Sequence, residues 1–410
     1  MKARDKYRFR PALLLLLFAL CGPLAAAAEH SVLACLGAKV YPSPAVAPIP
    51  DAVLVVEDGK ISVVAARARS KYDLPPSAIK LDCAGKVVVA GFWNSHVHFT
   101  GGWENAAIVP PGKLEAHMLE MLTRWGFTTV WDLGSDPGNT LALRRRVEAG
   151  EVPGPRILMA GDIFPKNGHP VYLPAELQLP EAATPQEAQH MALRYLVMGL
   201  EGIKLFTGVY MGPKPVINMD TAIVKAAVDV AHAQDKPVFT HPQNRAGVDN
   251  ALAGGVDILA HTIPTEGSFT AGELAQMKRQ HTALIPTLTL WTVAAREPAV
   301  TERLVQAGVD ELKSYFSAGG TILFGTDVGF TSKYDTAEEF ELMGRALGWR
   351  DILASLTTNP STFFKAPTKG RVEKRMDADL VVLDADPAVD VRNLAKVAYT
   401  IRAGKIIYRK

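Results

Sequence analysis

Cysteine is scarce: Cys21, Cys35 and Cys83 are the only three in 410 residues. That excludes a cysteine-rich zinc module or a disulfide-dense scaffold, and leaves the fold to a hydrophobic core. Long apolar runs are missing too. The longest, Leu13–Leu20, falls well short of the roughly 18 residues needed to cross a bilayer. No short-period repeat or low-complexity tract appears, which removes solenoid, propeller and disordered readings. Charge of one sign is also absent, with 44 Lys and Arg against 42 Asp and Glu.

Five of the basic groups crowd into the first ten residues (Lys2, Arg4, Lys6, Arg8, Arg10), ahead of the apolar run and the small residues Ala25–Ala28. This is the pattern of a secretory signal peptide over residues 1–28, cleaved near Ala28, so the product is expected in the periplasm or medium. Cys21 follows Leu20, larger than the small residue that precedes a lipoprotein cysteine, so no stable membrane anchor is expected. Without residues 1–28 the balance is 39 basic to 41 acidic groups. No basic stripe remains to neutralise phosphates, which argues against nucleic acid or anionic membrane and for a small-molecule substrate. Homo-oligomerisation stays open. Cys35 and Cys83 are either a disulfide in an oxidising compartment or two buried thiols.

Short apolar stretches separated by Gly and Pro occur at both ends, in 29–89 and in 368–410, and predict one small composite β-sandwich domain. Between them, over 90–367, eight strand-like runs alternate with amphipathic helices: 87–96, 128–134, 156–161, 202–206, 237–241, 257–261, 283–287 and 321–327. That alternation predicts an α/β fold, a (β/α)8 TIM-like barrel, with a doubly wound open sheet as the alternative.

In such a barrel the chemistry sits where strands end. The first strand ends in His96-Val97-His98, the fourth contains Lys204, the fifth and sixth end in His241 and His261, and the eighth ends in Asp327. His96 and His98 are two apart, so a strand points both imidazoles to one face, able to grip one cation. His241 and His261 each close an apolar strand, where a buried imidazole needs a partner and a metal would serve. His30, His117, His169, His190, His232 and His281 read as ordinary surface or core residues, with reservations only for His169. Lys204 is the sharpest problem, because an ammonium should not point at metal cations. Reaction of its neutral amine with carbon dioxide gives an anionic carbamate able to bridge two metals; pairing with a carboxylate such as Asp132 is the other reading. Asp327, between Gly325 and Gly329, is placed to bind a metal and take a proton from water.

These motifs resemble the amidohydrolase superfamily, in the branch around imidazolonepropionase-like and Xaa-Pro dipeptidase-like proteins. GFWNSHVHF, IKLFTG, VFTH, ILAH and FGTD match its motifs at strands one, four, five, six and eight, and TTNPSTFFKAPTKGRVEKRMDADLVVLDADP matches the return into the small domain. The resemblance implies two divalent ions, most often zinc. His96, His98 and Asp327 would hold one and His241 and His261 the other, with carboxylated Lys204 between them, so carbon dioxide or bicarbonate is required. It implies amide hydrolysis of a dipeptide, N-acyl amino acid or cyclic amide by a metal-bridging hydroxide, with Asp327 as base and then acid. The sequence departs from the pattern at Asn94, where an Asp is common. It departs again after His241, where Pro242-Gln243-Asn244 replaces the tyrosine that dipeptidase-like members carry. Candidate substrate residues are His169, Tyr210, Arg245, Trp291 and Phe330. Ester, lactone or phosphotriester cleavage on the same site is the second hydrolytic reading, and a non-catalytic exported metal- or ligand-binding protein is the reading from another class.

Overall fold

The computed structural model describes residues 31–70 and 72–410. The expected signal peptide and Cys21 lie outside them. Seven strands pair side by side, all parallel and in chain order: Phe92–Val97, Phe127–Asp132, Arg156–Pro165, Gly202–Phe206, Val238–His241, Ile258–Ala260 and Ala283–Ile285. The eighth position is filled by residues 321–328. Leu284 bridges to Ile322 and Val97 to Val328, and Ser95 N donates to Phe324 O at 2.7 Å. The ring is therefore closed, and the fold is a TIM-like barrel rather than an open sheet.

The eighth run is extended but not a regular strand, which corrects the expectation for 321–327. A Cβ on Gly325 would lie 2.4 Å from Ile285 Cγ2, and Asp327 adopts φ 58°, so the chain is pressed against its neighbour and then bends. The period of two sorts the other strands. Ile203, Leu205, Val238, Leu259 and Leu284 pack outward beneath the helices, while Trp93, Trp131, Ala160, Phe239, Ile258 and Ile285 form a separate cluster inside the barrel. The helices include Pro111–Met121, Pro185–Val197, Thr221–His232 and Pro298–Ser317. Thr184 with Glu187, and Thr270 with Glu273, form capping boxes at two helix starts, each cap being worth about 1 kcal/mol.

The two ends of the described chain meet in one sheet. Its order is Lys405–Arg409, Val397–Arg402, Leu380–Leu383, Val87–Ala90, Val32–Val40, Ile49–Glu57 and Lys60–Ala66, with Ile79–Asp82 also pairing to Val32–Val40. The strands of the composite domain form one continuous hydrogen-bonded sheet. It curls until the turn at Gly59 meets Ala403, where a Cβ would come within 3.0 Å of the Ala403 carbonyl. Leu33, Leu54, Val88, Leu380 and Ile401 share its core with Cys35 and Cys83, whose thiols are free and buried. Among the described residues no helix is long and apolar enough to cross a membrane.

Candidate metal centre

The strand Phe92–Val97 carries His96 and His98 to the carboxyl end of the barrel, where the bend after residue 326 turns Asp327 toward them. Nε2 of His96 lies 3.2 Å from Nε2 of His98, and Oδ1 of Asp327 lies 3.2 and 3.0 Å from these two nitrogens. Donors about 2 Å from one cation in tetrahedral array stand about 3.3 Å apart, so this triangle has the size of a coordination face. Its chemistry fits as well. Asp327 Oδ1 is buried and makes no hydrogen bond of good geometry, a costly arrangement that a cation would relieve. Nδ1 of His98 is 2.9 Å from the Gly134 carbonyl, to which it donates, so Nε2 keeps its lone pair. Gly329, at φ 98°, is required here: a Cβ would fall 1.9 Å from the His98 carbonyl.

A second pair of imidazoles adjoins the first. The rings of His96 and His261 are 4.7 Å apart and those of His261 and His241 4.8 Å. Nδ1 of His261 meets Thr287 Oγ1 at 2.6 Å, while that hydroxyl donates to the Pro286 carbonyl, so His261 donates there and presents Nε2 to the site. His241 uses Nε2 on Gln243 Oε1 at 3.0 Å and presents Nδ1. His261, Thr287 and Asp327 all have left-handed backbones, with φ of 78°, 44° and 58°. Such strain in non-glycine residues collects where function dictates side-chain direction. Burial, helped by the Lys204 charge, holds His96 and His261 well below the ordinary imidazole range and brings His241 down to about 4. These three rings are neutral at pH 7 and keep the lone pairs that a metal needs. For His98 burial acts downward, but the Asp327 and Asp132 carboxylates outweigh it and the net shift is upward.

Lys204 stands inside the barrel on Gly202–Phe206, 1% exposed, 5.5 Å from the Phe206 ring centre. Among the described residues it makes no hydrogen bond or ion pair. Burial brings its ammonium down to about 8 against the opposing pull of Asp327 and Asp162. Asp132, the carboxylate expected as its alternative partner, is engaged elsewhere: Ser135 and Thr140 each donate to it at 2.7 Å. Asp162, which sequence reasoning missed, is the register partner of Lys204 on the neighbouring strand. Its Oδ1 is buried without a partner, and burial pushes its carboxyl up to about 7.

The chain matches the amidohydrolase family over residues 87–407. It belongs to that family. It is similar to an imidazolonepropionase of Porphyromonas gingivalis, 22% identical over 87% of this chain and 89% of the relative. Similarity to an ochratoxinase of Aspergillus niger is 22% over 88% of this chain and 83% of the relative. A solved candidate prolidase from Bifidobacterium longum superposes with a TM-score of 0.79 at 26% identity, over 92% of this chain and 95% of the other. As an amidohydrolase the protein is an enzyme of carbon–nitrogen bonds, and metal-dependent amide hydrolysis is its general chemistry.

Around this amidohydrolase centre the expected substrate residues scatter. Phe330 stays close, because its amide donates to the Asp327 carbonyl at 3.2 Å; its half-exposed ring meets Tyr172 edge-on with centroids 5.1 Å apart. Tyr172 was missed by sequence reasoning. Burial and the charges of Asp327 and Asp162 push its hydroxyl upward. His169 lies in the loop before it, 3.2 Å from the Pro170 and Leu177 carbonyls, and exposed Tyr210 accepts from the Val171 amide. Arg245 is spent on structure: it binds Glu273 at 2.6 Å and the Glu266 and Ser268 carbonyls. Trp291 donates to Thr262 Oγ1 at 2.8 Å, one residue beyond His261.

Proposed function

We propose that the protein hydrolyses a small amide at a two-zinc centre and that Lys204 is carboxylated. His96, His98 and Asp327 would hold one ion and His241 Nδ1 and His261 Nε2 the other, with the Lys204 carbamate between. The observation that carries this reading is the buried Lys204 with no partner, set beside four imidazoles and an unsatisfied carboxylate. An amine brought down to about 8 is neutral in about a tenth of molecules at pH 7. That fraction adds carbon dioxide and releases a proton, replacing a buried cation by an anion with two oxygens.

Bound divalent ions would bring the pKa of water toward about 7 and polarise the scissile carbonyl. Asp327, whose Oδ1 faces the centre, accepts the proton of the attacking water and returns it to the leaving nitrogen, so one carboxylate is base and then acid. Thr287 and Gln243 hold His261 and His241 in the orientation the ions require. Tyr172 and Phe330 form an aromatic wall at the rim, which favours a substrate with an apolar or aromatic group beside the amide.

The classes to test are those expected from the sequence: dipeptides, with proline-containing ones first because a prolidase is among the similar structures, N-acyl amino acids and cyclic amides. Enzyme reconstituted in zinc and bicarbonate is expected to turn over at least one class faster than the matching ester. Faster esters or lactones across the panel would shift the assignment to the second hydrolytic reading. Silence on every substrate with zinc bound would favour the binding-protein reading. Export to the periplasm or medium, with cleavage near Ala28, rests on residues 1–28 and is tested by the amino terminus of the mature protein.

A further inference from the structure

Away from the metal centre, the two cysteines of the small domain stand together. Cys35 lies on Val32–Val40, where its register partner on the parallel strand Ile79–Asp82 is Leu81. Cys83 follows that strand directly, and its amide donates to the Leu36 carbonyl at 2.9 Å. Side chains alternate along a strand, so Leu33, Cys35, Leu81 and Cys83 face one apolar core while Ala34 faces another. Gly37, at φ 83°, lets the two segments close up beside the pair: a Cβ there would lie 3.4 Å from Ala84 Cα.

Both are held as buried thiols, and each interacts more strongly with the other than with any other polar group. The hydrogen bond between them comes first for both. It pushes Cys35 up, with burial adding to it, and brings Cys83 down against the pull of burial. Cys83 is therefore the sulfur that gives up its proton first. Chance does not account for the contact. After the expected signal peptide only Cys35 and Cys83 remain in the chain. A buried side chain touches about 6 to 12 others, so two residues placed at random among about 380 meet in about 2–3% of cases.

We infer that Cys35 and Cys83 are a disulfide site, closed by thiol–disulfide exchange as the chain folds. The Cys83 thiolate attacks one sulfur of a small-molecule or protein disulfide and releases the other as a thiolate. Cys35 then gives up its proton and attacks the Cys83 sulfur, releasing the second. Two protein thiols are oxidised, and one external disulfide is reduced to two thiols. Both sulfurs are sealed in the folded domain, so the exchange precedes closure of the sheet. The bond ties the strand Val32–Val40 to the segment that leads into Val87–Ala90 and on to Phe92–Val97, which carries His96. The site stands apart from the proposed hydrolytic reaction and does not depend on it.

The test uses the full chain carrying Cys21→Ser, so that only these two thiols remain, unfolded in urea with reductant and refolded with zinc, bicarbonate and oxidised glutathione. Three results are expected: loss of the mass of two hydrogens, no thiol left to alkylate in denaturant, and a tryptic fragment joining Cys35 to Cys83. The folded reduced enzyme in the same glutathione should oxidise more slowly by about tenfold or more, because its thiolate is out of reach. Reductant should lower the urea midpoint of the oxidised protein and leave that of Cys83→Ala unchanged. Thiols still free after refolding, glutathione left on either cysteine as the final product, oxidation of the folded enzyme at the refolding rate, or a midpoint insensitive to reductant would each overturn the inference.

Discussion

Lys204 and Asp162 are register partners on adjacent parallel strands, yet among the described residues they form no ion pair, and Asp162 Oδ1 is left without a partner. A buried ammonium and carboxylate side by side normally close into a bond, because each alone pays heavily for lost water. Their separation leaves the Lys204 nitrogen without a counter-charge, available for the proposed carboxylation. Enzyme prepared in 13C-labelled bicarbonate is expected to show a carbamate carbon by NMR. Lys204→Met should lose that signal and fall from about two bound zinc ions to about one. A variant that keeps both ions, with no carbamate in the parent, would make Asp162 the counter-charge of an unmodified lysine.

Asp327→Asn keeps the shape of the side chain and one oxygen donor, but removes the group that takes and returns the proton. Turnover should fall by about 100- to 10,000-fold, while the melting temperature and zinc content stay near those of the parent. Steady-state kinetics with metal analysis checks this, and a loss of less than tenfold would move the proton-transfer role elsewhere.

The barrel, and the groups the structure gathers at its carboxyl end, are legible in the sequence for one physical reason. His96, His98, His241, His261 and Asp327 each close an apolar strand, where a polar side chain has no solvent and must have a purpose. Asp162 lies just beyond the strand expected over 156–161, although Ile163 and Phe164 continue the apolar pattern and the strand runs to Pro165. Thr287 escaped because a threonine carries no sign of its partner. Glu311 and Glu339 lie on the apolar faces of Pro298–Ser317 and Ala337–Gly344, where the helical period alone marks them as buried. Arg245 illustrates the opposite limit: a loop arginine near a histidine looks like a substrate anchor until its ties to Glu273 and two carbonyls are seen.

In the proposed centre Thr287 would act on the metal through His261. Its hydroxyl fixes which ring nitrogen carries the proton, and such outer contacts are typically worth 10- to 100-fold in metal affinity. Thr287→Val keeps the branched shape and deletes the acceptor, so zinc affinity measured by chelator competition should drop by about that factor. Thr287→Ser should recover most of it. Unchanged affinity in the valine variant would leave the 2.6 Å contact without a role in metal binding.

Glu311 and Glu339 hold the loops that follow His261 and Thr287. Glu311 accepts from the Ile263 amide at 2.9 Å, and Glu339 accepts from Leu288 and Thr289 at 2.9 and 2.7 Å. Burial pushes their carboxyls up to about 8 and about 7, although those amide bonds act in the other direction. An unfolded glutamate titrates near about 4.3, so between that value and the folded one the native state binds more protons than the unfolded state. The resulting stability is complete below about pH 4.3 and is lost as pH rises through about 7 to 8. Histidines whose folded pKa is lowered act in the reverse sense, but below about 6.5, while Asp162 and His98, raised like the glutamates, act in the same sense above it, so the contribution of Glu311 is the difference in slope between its variant and the parent. In chelator, the urea midpoint should fall from about pH 6.5 to about 8, and Glu311→Gln, which keeps an acceptor but cannot ionise, should flatten the fall. A parent midpoint that rises there, or a glutamine variant with the same slope, would show that burial does not control these groups.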